Sequence, residues 1–260
     1  MTIMQAEATV ERTEEVWARL QSVIDPELDE SVTELGFVTG VEVHAGGEVR
    51  IDFRLPTYWC AANFAFLMAD DMRIAVAALP WVRKVTVGLG EHMYADEINR
   101  GVAAGLSFQA TFGSEASGEL EEVRRTFMVK AFQRRQEALL TYLLDHGHES
   151  GTLLRLTVAE LATLSSDSAG RRLIVRYLER RMVVQSYADE LAFVDQDGAL
   201  LDAGQIHAYL RALRRVGVNA EFNSALCRGL LATRYGAECA PQVEVKPVHF
   251  VRSIGMARST

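Results

Sequence analysis

Two short stretches of this 260-residue chain carry the side chains best suited to chemistry. In "LPTYWCAANF", Leu55 to Phe64, Cys60 stands where a strand pattern ends and a helix pattern begins. The free N–H groups and dipole of a helix N-terminus favour an anion, so a thiolate placed there is stabilised. The carboxyl edge of an open α/β sheet is also where sites usually gather. The second stretch is "DPELDE", whose Asp25 and Glu27 offer oxygen donors for a hard metal or for work on a bound group. Each has a plainer alternative. Free cysteine is among the most buried residue types, and an acidic loop behind the helix-stopping Pro26 serves equally well as a solvated turn. The other cysteines, Cys227 and Cys239, lie far along the chain, and no CxxC pair occurs. A self-contained zinc or cluster site with neighbouring ligands is therefore not encoded. Chemistry at Cys60 is expected to use a single thiol or to be completed by another chain.

Other motifs weigh less. His92, in "GEHMYADE", follows a strand pattern and faces the Cys60 end of the sheet, although a surface loop histidine is the simpler expectation. "HGH" at 146–148 closes a helix, where positive charge suits the dipole. "DQDG" at 195–198 resembles the start of a calcium loop, but Ile206 stands where the twelfth-position glutamate belongs. It reads as a turn. The arginines of "GRRLIVRYLERRM" are expected to pair with acids or face a protein rather than DNA.

These side chains need a scaffold. Thr13 reads as an N-cap before Val16, Trp17, Leu20, Val23 and Ile24, which recur at helical spacing until Pro26. "SVTELG" predicts one short helical turn, with Ser31 and Glu34 at capping-box spacing and Gly36 as C-cap. "FVTGVEVH" and "VRIDFRL" alternate with period two around the turn "AGG", predicting a hairpin. Phe64, Leu67, Met68, Met72, Val76 and Leu79 then mark a helix ended by Pro80, and "VRKVTVGL" returns to strand. The fold class expected is α+β, a small α-β-β-α-β sandwich domain over 1–93 followed by a mostly α-helical domain. Residues 94–118 read as a Gly/Ser/Ala-rich junction, 119–235 as the helical domain and 236–260 as an extended tail. Within the helical part, Glu119–His146 reads as one helix and Thr157 with Glu160 as a capping box. Arg171–Val183, Ala203–Val216 and Asn219–Tyr235 predict three more helices.

Composition bounds the setting. Hydrophobic residues make up 49% and charged ones 24%, as in a packed globular protein. No apolar run is long enough for a membrane span, and the N-terminal residues lack a signal-peptide pattern. A cytoplasmic location is expected. Residues 1–90 hold 14 acids against 7 bases, which argues against nucleic-acid binding there.

Taken together, "VWARLQSVIDPELDESVTELGFVTGVEV", the second strand, Cys60 and "VRKVTVGL" resemble the small iron–sulfur cluster assembly domain of SufT, PaaD and the eukaryotic cytosolic cluster-targeting factor. The resemblance covers residues 10–90. In that family a threonine lies four residues before the cysteine and a proline follows it. Here Thr57 lies three before, Pro56 holds the threonine place and Ala61 replaces the proline. The resemblance implies a non-enzymatic maturation factor that passes iron or a transiently held iron–sulfur cluster to client metalloproteins, with a di-iron monooxygenase as a candidate client. It implies Cys60 as the metal ligand, with Asp25, Glu27 and Thr57 supporting its pocket. A cluster ordinarily takes four ligands, mostly thiolates, and one Cys60 per chain supplies two even in a homodimer, so shared and passing ligation is expected. The alternative is a protein-binding accessory subunit or folding chaperone of an oxygenase system, with Cys60 structural.

Overall fold

In the computed structural model, which describes residues 3–113, 120–184 and 191–236, the chain opens with helix α1, Ile3–Leu20. The helix begins well before Thr13, whose hydroxyl donates to the Thr9 carbonyl from inside it rather than capping it. It also ends before Val23 and Ile24. Those two residues share the apolar rhythm of the helix, but Ile24–Asp25 forms a two-residue strand, β1, antiparallel to β2, Glu30–Ser31. Val23, Leu28, Val32 and Leu35 are buried around this small hairpin, so hydrophobic contact and not helical geometry explains their spacing. A single helical turn follows and closes at Gly36, whose φ of +71° suits a residue without Cβ. The Ser31 hydroxyl serves the Thr33 N–H and hydroxyl, an alternative to the expected capping box.

The hairpin of β3, Val38–His44, and β4, Glu48–Phe53, forms as its period-two pattern requires, with Val43 opposite Val49 and Val41 opposite Ile51. Helix α2, Ala62–Ala77, leads to β5, Lys84–Leu89, which pairs in parallel with β4. Strand order is β3-β4-β5. One face of β4 presents Val49, Ile51 and Phe53 to Phe66, Met68, Met72 and Val76 of α2, with Val16 and Leu20 of α1 in the same core. Fully burying each such side chain contributes about 1.5–3 kcal/mol.

The stretch expected as a junction is instead part of this core as far as it is described. Residues 95–103 form α3 (Ala95–Ala103) and 108–112 form α4 (Phe108–Phe112). Ile98, Val102 and Phe108 are buried with the sheet. Small residues there signal close packing: a Cβ at Gly101 would lie 2.3 Å from the Thr111 hydroxyl.

Beyond residue 120 the described elements are mostly helical, and most of them build a second core. They are α5, Leu120–Asp145; α6, Ser150–Leu153; α7, Val158–Thr163; α8, Ser168–Arg181; and α9, Ile206–Tyr235. Phe132, Leu139, Leu140 and Leu143 of α5 meet Ile174 and Tyr177 of α8 and Ile206 and Leu210 of α9. The Thr157–Glu160 capping box forms with both of its bonds, and "DQDG" is a turn in which Asp195 accepts from the Asp197 and Ala199 N–H groups. The two helices expected between 203 and 235 are one 30-residue helix. A mid-helix glycine costs only about 1 kcal/mol relative to alanine, and Gly217 sits between ends that are each anchored. Leu210 packs in the second core and Leu231 in the first. The extended tail expected over 236–260 falls, beyond Gly236, outside the described residues.

Candidate functional site

Cys60 lies two residues before α2, outside its first turn, and is half-buried against the first core. Its thiol shares a hydrogen bond with the Thr57 hydroxyl, Sγ to Oγ1 being 3.0 Å. The shortened spacing thus still delivers a hydroxyl to the sulfur. The Cys60 carbonyl accepts from His92 Nε2 at 2.8 Å, while His92 Nδ1 accepts from the Tyr94 N–H at 3.2 Å. These partners fix the tautomer with its proton on Nε2. Far from being a surface loop residue, His92 is 5% exposed and pins the backbone of the cysteine. Both of its nitrogens are thereby engaged with backbone groups, so it is not arranged as a base for the thiol. Around Cys60, Tyr58, Trp59 and Met93 are exposed, Trp59 at 72%, and the Met93 N–H donates to the Tyr58 carbonyl.

Asp25 is 8% exposed and opens the acidic loop. Its Oδ1 accepts from the N–H groups of Glu27 and Leu28 at 2.9 and 2.8 Å. Burial nevertheless dominates and raises its carboxyl pKa to about 6, with Glu27 and Glu30 adding like charge. Asp29 has a different task. It sits at φ +54° and is gripped by Arg135 of α5 through two bonds of 2.6 and 2.9 Å. Arg180 of α8 reaches the same carboxylate at 3.2 Å. The loop is in this way clasped to the helical part, and Arg134 adds bonds to the Glu27 and Leu28 carbonyls.

The remaining acids of the loop are met by α9. Asn223 donates to Glu27 Oε1 at 2.9 Å, Ser224 donates to Glu30 Oε1 at 2.6 Å, and Arg228 pairs with Glu30. One turn on from Asn223, Cys227 is half-buried against the core that also receives Cys60. Burial pushes the Cys227 thiol up to about 12, and the charges of Asp25, Cys60, Glu27 and Glu30 act in the same direction. Among the described residues, no group of three or more His, Cys, Asp or Glu side chains is set to hold a metal ion.

Residues 13–87, running from within α1 to within β5 and including both Asp25 and Cys60, match the family model described as iron–sulfur cluster assembly protein. A protein of Methanocaldococcus jannaschii named only as uncharacterized is 31% identical over 86 residues, which are 33% of this chain and 88% of that protein. This chain belongs to the iron–sulfur cluster assembly family. A solved domain of unknown function from Bacillus anthracis is 20% identical, covering 38% of this chain and 95% of that one at a TM-score of 0.31. The family match ends at residue 87, within β5.

Three features of the site were hidden in the sequence. Asp29 looked like one more solvated acid, although an aspartate after a turn is among the few side chains tolerant of positive φ. The Arg-rich α8 was the available hint of its partner. His92 lacked any local signal of burial. Cys227 gave no sign of packing on the first core, because its placement depends on where the long α9 returns there.

Proposed function

We infer that this chain is a non-enzymatic maturation factor that takes up iron or an iron–sulfur cluster and passes it to a client metalloprotein. The observation that carries the reading is the half-exposed Cys60 thiol, hydrogen-bonded to Thr57 and ringed by exposed Tyr58, Trp59 and Met93, in a domain of the assembly family. A thiol at the rim of an apolar patch can be approached by a client surface, because exposed aromatic groups of this kind favour protein contact. Buried Asp25 and partly buried Glu27 support the wall behind it, and the cargo is held in passing because the remaining thiolates come from donor or client. No described helix is long and apolar enough to cross a membrane, and the reading places the activity in the cytoplasm. Candidate clients include a di-iron monooxygenase, and a homodimer is one arrangement in which two Cys60 thiols would share cargo.

Anaerobic reconstitution with iron and sulfide tests this reading. Cys60→Ser should lose bound iron and the transfer of cluster to an apo-ferredoxin acceptor. Equal iron content in wild type and variant would sink the proposal.

The alternative, an accessory or folding subunit, draws on a separate feature. Val218, Phe222, Leu226 and Leu230 recur every four residues along α9 and are all exposed, Phe222 at 66%. Client maturation that survives Cys60→Ser but fails on Phe222→Ser would favour it.

A further inference from the structure

A cavity of about 290 Å³ lies between α5 and α9, beside the acidic loop. Phe127, Lys130 and Arg134 form one wall from α5, and Arg215, Asn219 and Asn223 form the other from α9. Spacings of three and four residues align each set on one helix face. Among the described residues the one acid lining the cavity is Glu27, whose Oε1 already accepts from Asn223 at 2.9 Å. Three bases therefore face one acid, an excess of two positive charges. The neighbouring acids do not balance it, because Asp29 is held by Arg135 and Arg180 and Glu30 by Arg228. Water can serve the exposed Lys130 and Arg215, and Lys130 also lies 4.5 Å from the centre of the Phe127 ring.

Arg134 differs from both. It is half-buried, and its Nε is buried without a hydrogen-bond partner. Its other two nitrogens reach only the Leu28 and Glu27 carbonyls, at 3.3 and 3.4 Å, beyond the usual ~2.7–3.2 Å. Arg54 and Arg180 also bury an unpaired Nε, yet Arg54 lies over the Tyr235 ring and Arg180 reaches Asp29. Of these three, Arg134 alone has neither a ring nor a carboxylate among the described residues. A guanidinium withdrawn from water without a counter-charge is costly. Burial accordingly lowers its pKa, with Asp29 opposing the change and Arg135 adding to it.

We propose that this cavity binds a small phosphate monoester, its head between Arg134, Lys130 and Arg215 and its apolar body against Phe127, Val216 and Ala220. Charge decides the class. A phosphate monoester carries about −1.5 to −2 at neutral pH, which matches the excess of two; a single carboxylate does not. Guanidinium groups hold such oxygens through paired hydrogen bonds, and the Asn219 amide offers a further donor. The volume suits a small molecule, since ligand pockets run from about 300 to 1,000 Å³. The site does not use Cys60, so it stands or falls apart from the cargo reading.

Isothermal titration calorimetry of the full chain with phenyl phosphate tests this, with inorganic phosphate and benzoate as comparison probes. Phenyl phosphate should bind with a Kd of ~1 mM or below, and the two comparison probes roughly tenfold more weakly, one lacking the ring and the other the second charge. Arg134→Gln and Arg215→Gln should each weaken phenyl phosphate roughly tenfold or more, the worth of a charge-assisted hydrogen bond. Arg125→Gln, at an exposed base of α5 outside the cavity, should titrate like the parent. Should Arg134→Gln fail to fold, the exposed Arg215→Gln decides. The proposal is overturned by the absence of saturable heat at two temperatures up to about 10 mM phenyl phosphate. It is equally overturned if the cavity variants bind like the parent, if Arg125→Gln weakens binding as much as they do, or if benzoate binds as tightly as phenyl phosphate.

Discussion

Replacing Asp29 by asparagine should cost this protein more than any other single change in the acidic loop. Asparagine keeps the shape and tolerates φ of +54°, so the substitution isolates the charge. The lost carboxylate is 5% exposed and faces an 8%-exposed Arg135 through bonds of 2.6 and 2.9 Å, with Arg180 at 3.2 Å. Removing one partner of a buried pair typically costs about 3–5 kcal/mol. Arg135 retains the Glu179 carboxylate at 2.7 Å, which softens the loss, so about 3 kcal/mol is expected here. Urea unfolding reads it through two probes. The tryptophans, Trp17, Trp59 and Trp81, report only on the assembly domain, whereas far-UV circular dichroism is dominated by the later helices. Coincident in the wild type, the two transitions should separate in Asp29→Asn, because the clasp links the two cores. In a double-mutant cycle with Arg135→Met the coupling should exceed ~1.5 kcal/mol, well beyond that of an exposed pair. A loss under ~1 kcal/mol with coupling under ~0.5 kcal/mol would show that the pair behaves as a solvated surface bridge and would refute the reasoning.

Further expectations concern the site and its support. Burial raises the Asp25 pKa to about 6 in the folded chain, against 3.8 for an ordinary aspartate, so the folded state holds its proton longer than the unfolded chain. Its penalty is absent below pH 3.8, builds as pH rises toward 6 and is complete above that, amounting to about 3 kcal/mol at ~1.4 kcal/mol per unit. Asp25→Asn should therefore match the wild type near the bottom of that window and exceed it in stability above pH 7; parallel stability–pH curves for the two proteins would count against this. Gly101→Ala should destabilise by about 1–3 kcal/mol through overpacking against Thr111. A neutral result in urea unfolding would return residues 95–112 to the status of a linker.

Where the chemistry of the site is local, it could be read from sequence. The β3–β4 hairpin, α2 and β5 follow from period changes that no tertiary contact had to override, and they place Cys60 at the strand-to-helix junction. Thr13 misled because a good cap residue is also tolerated inside a helix, where its hydroxyl bonds back to the carbonyl four residues earlier. Gly217 and Asn219 similarly looked like a break, yet anchoring of α9 at both ends outweighs their weak helix propensity. Asp29 and His92 share one trait. Each derives its role from a partner brought in by distant chain, and single-residue chemistry contains no record of such partners.

The order in which the chain is made gives α9 one more meaning. Ser224 grips Glu30 across 194 positions of sequence. At translation rates of about 5–20 residues per second, roughly 10 to 40 s separate the synthesis of the two. Throughout that interval the acidic loop exists without the Asn223, Ser224 and Arg228 side chains that meet Glu27 and Glu30. The nascent loop is thus openly negative, and the arrival of α9 covers part of its charge. The contact between loop and helix therefore closes only after α9 has been made, late in the synthesis of the chain.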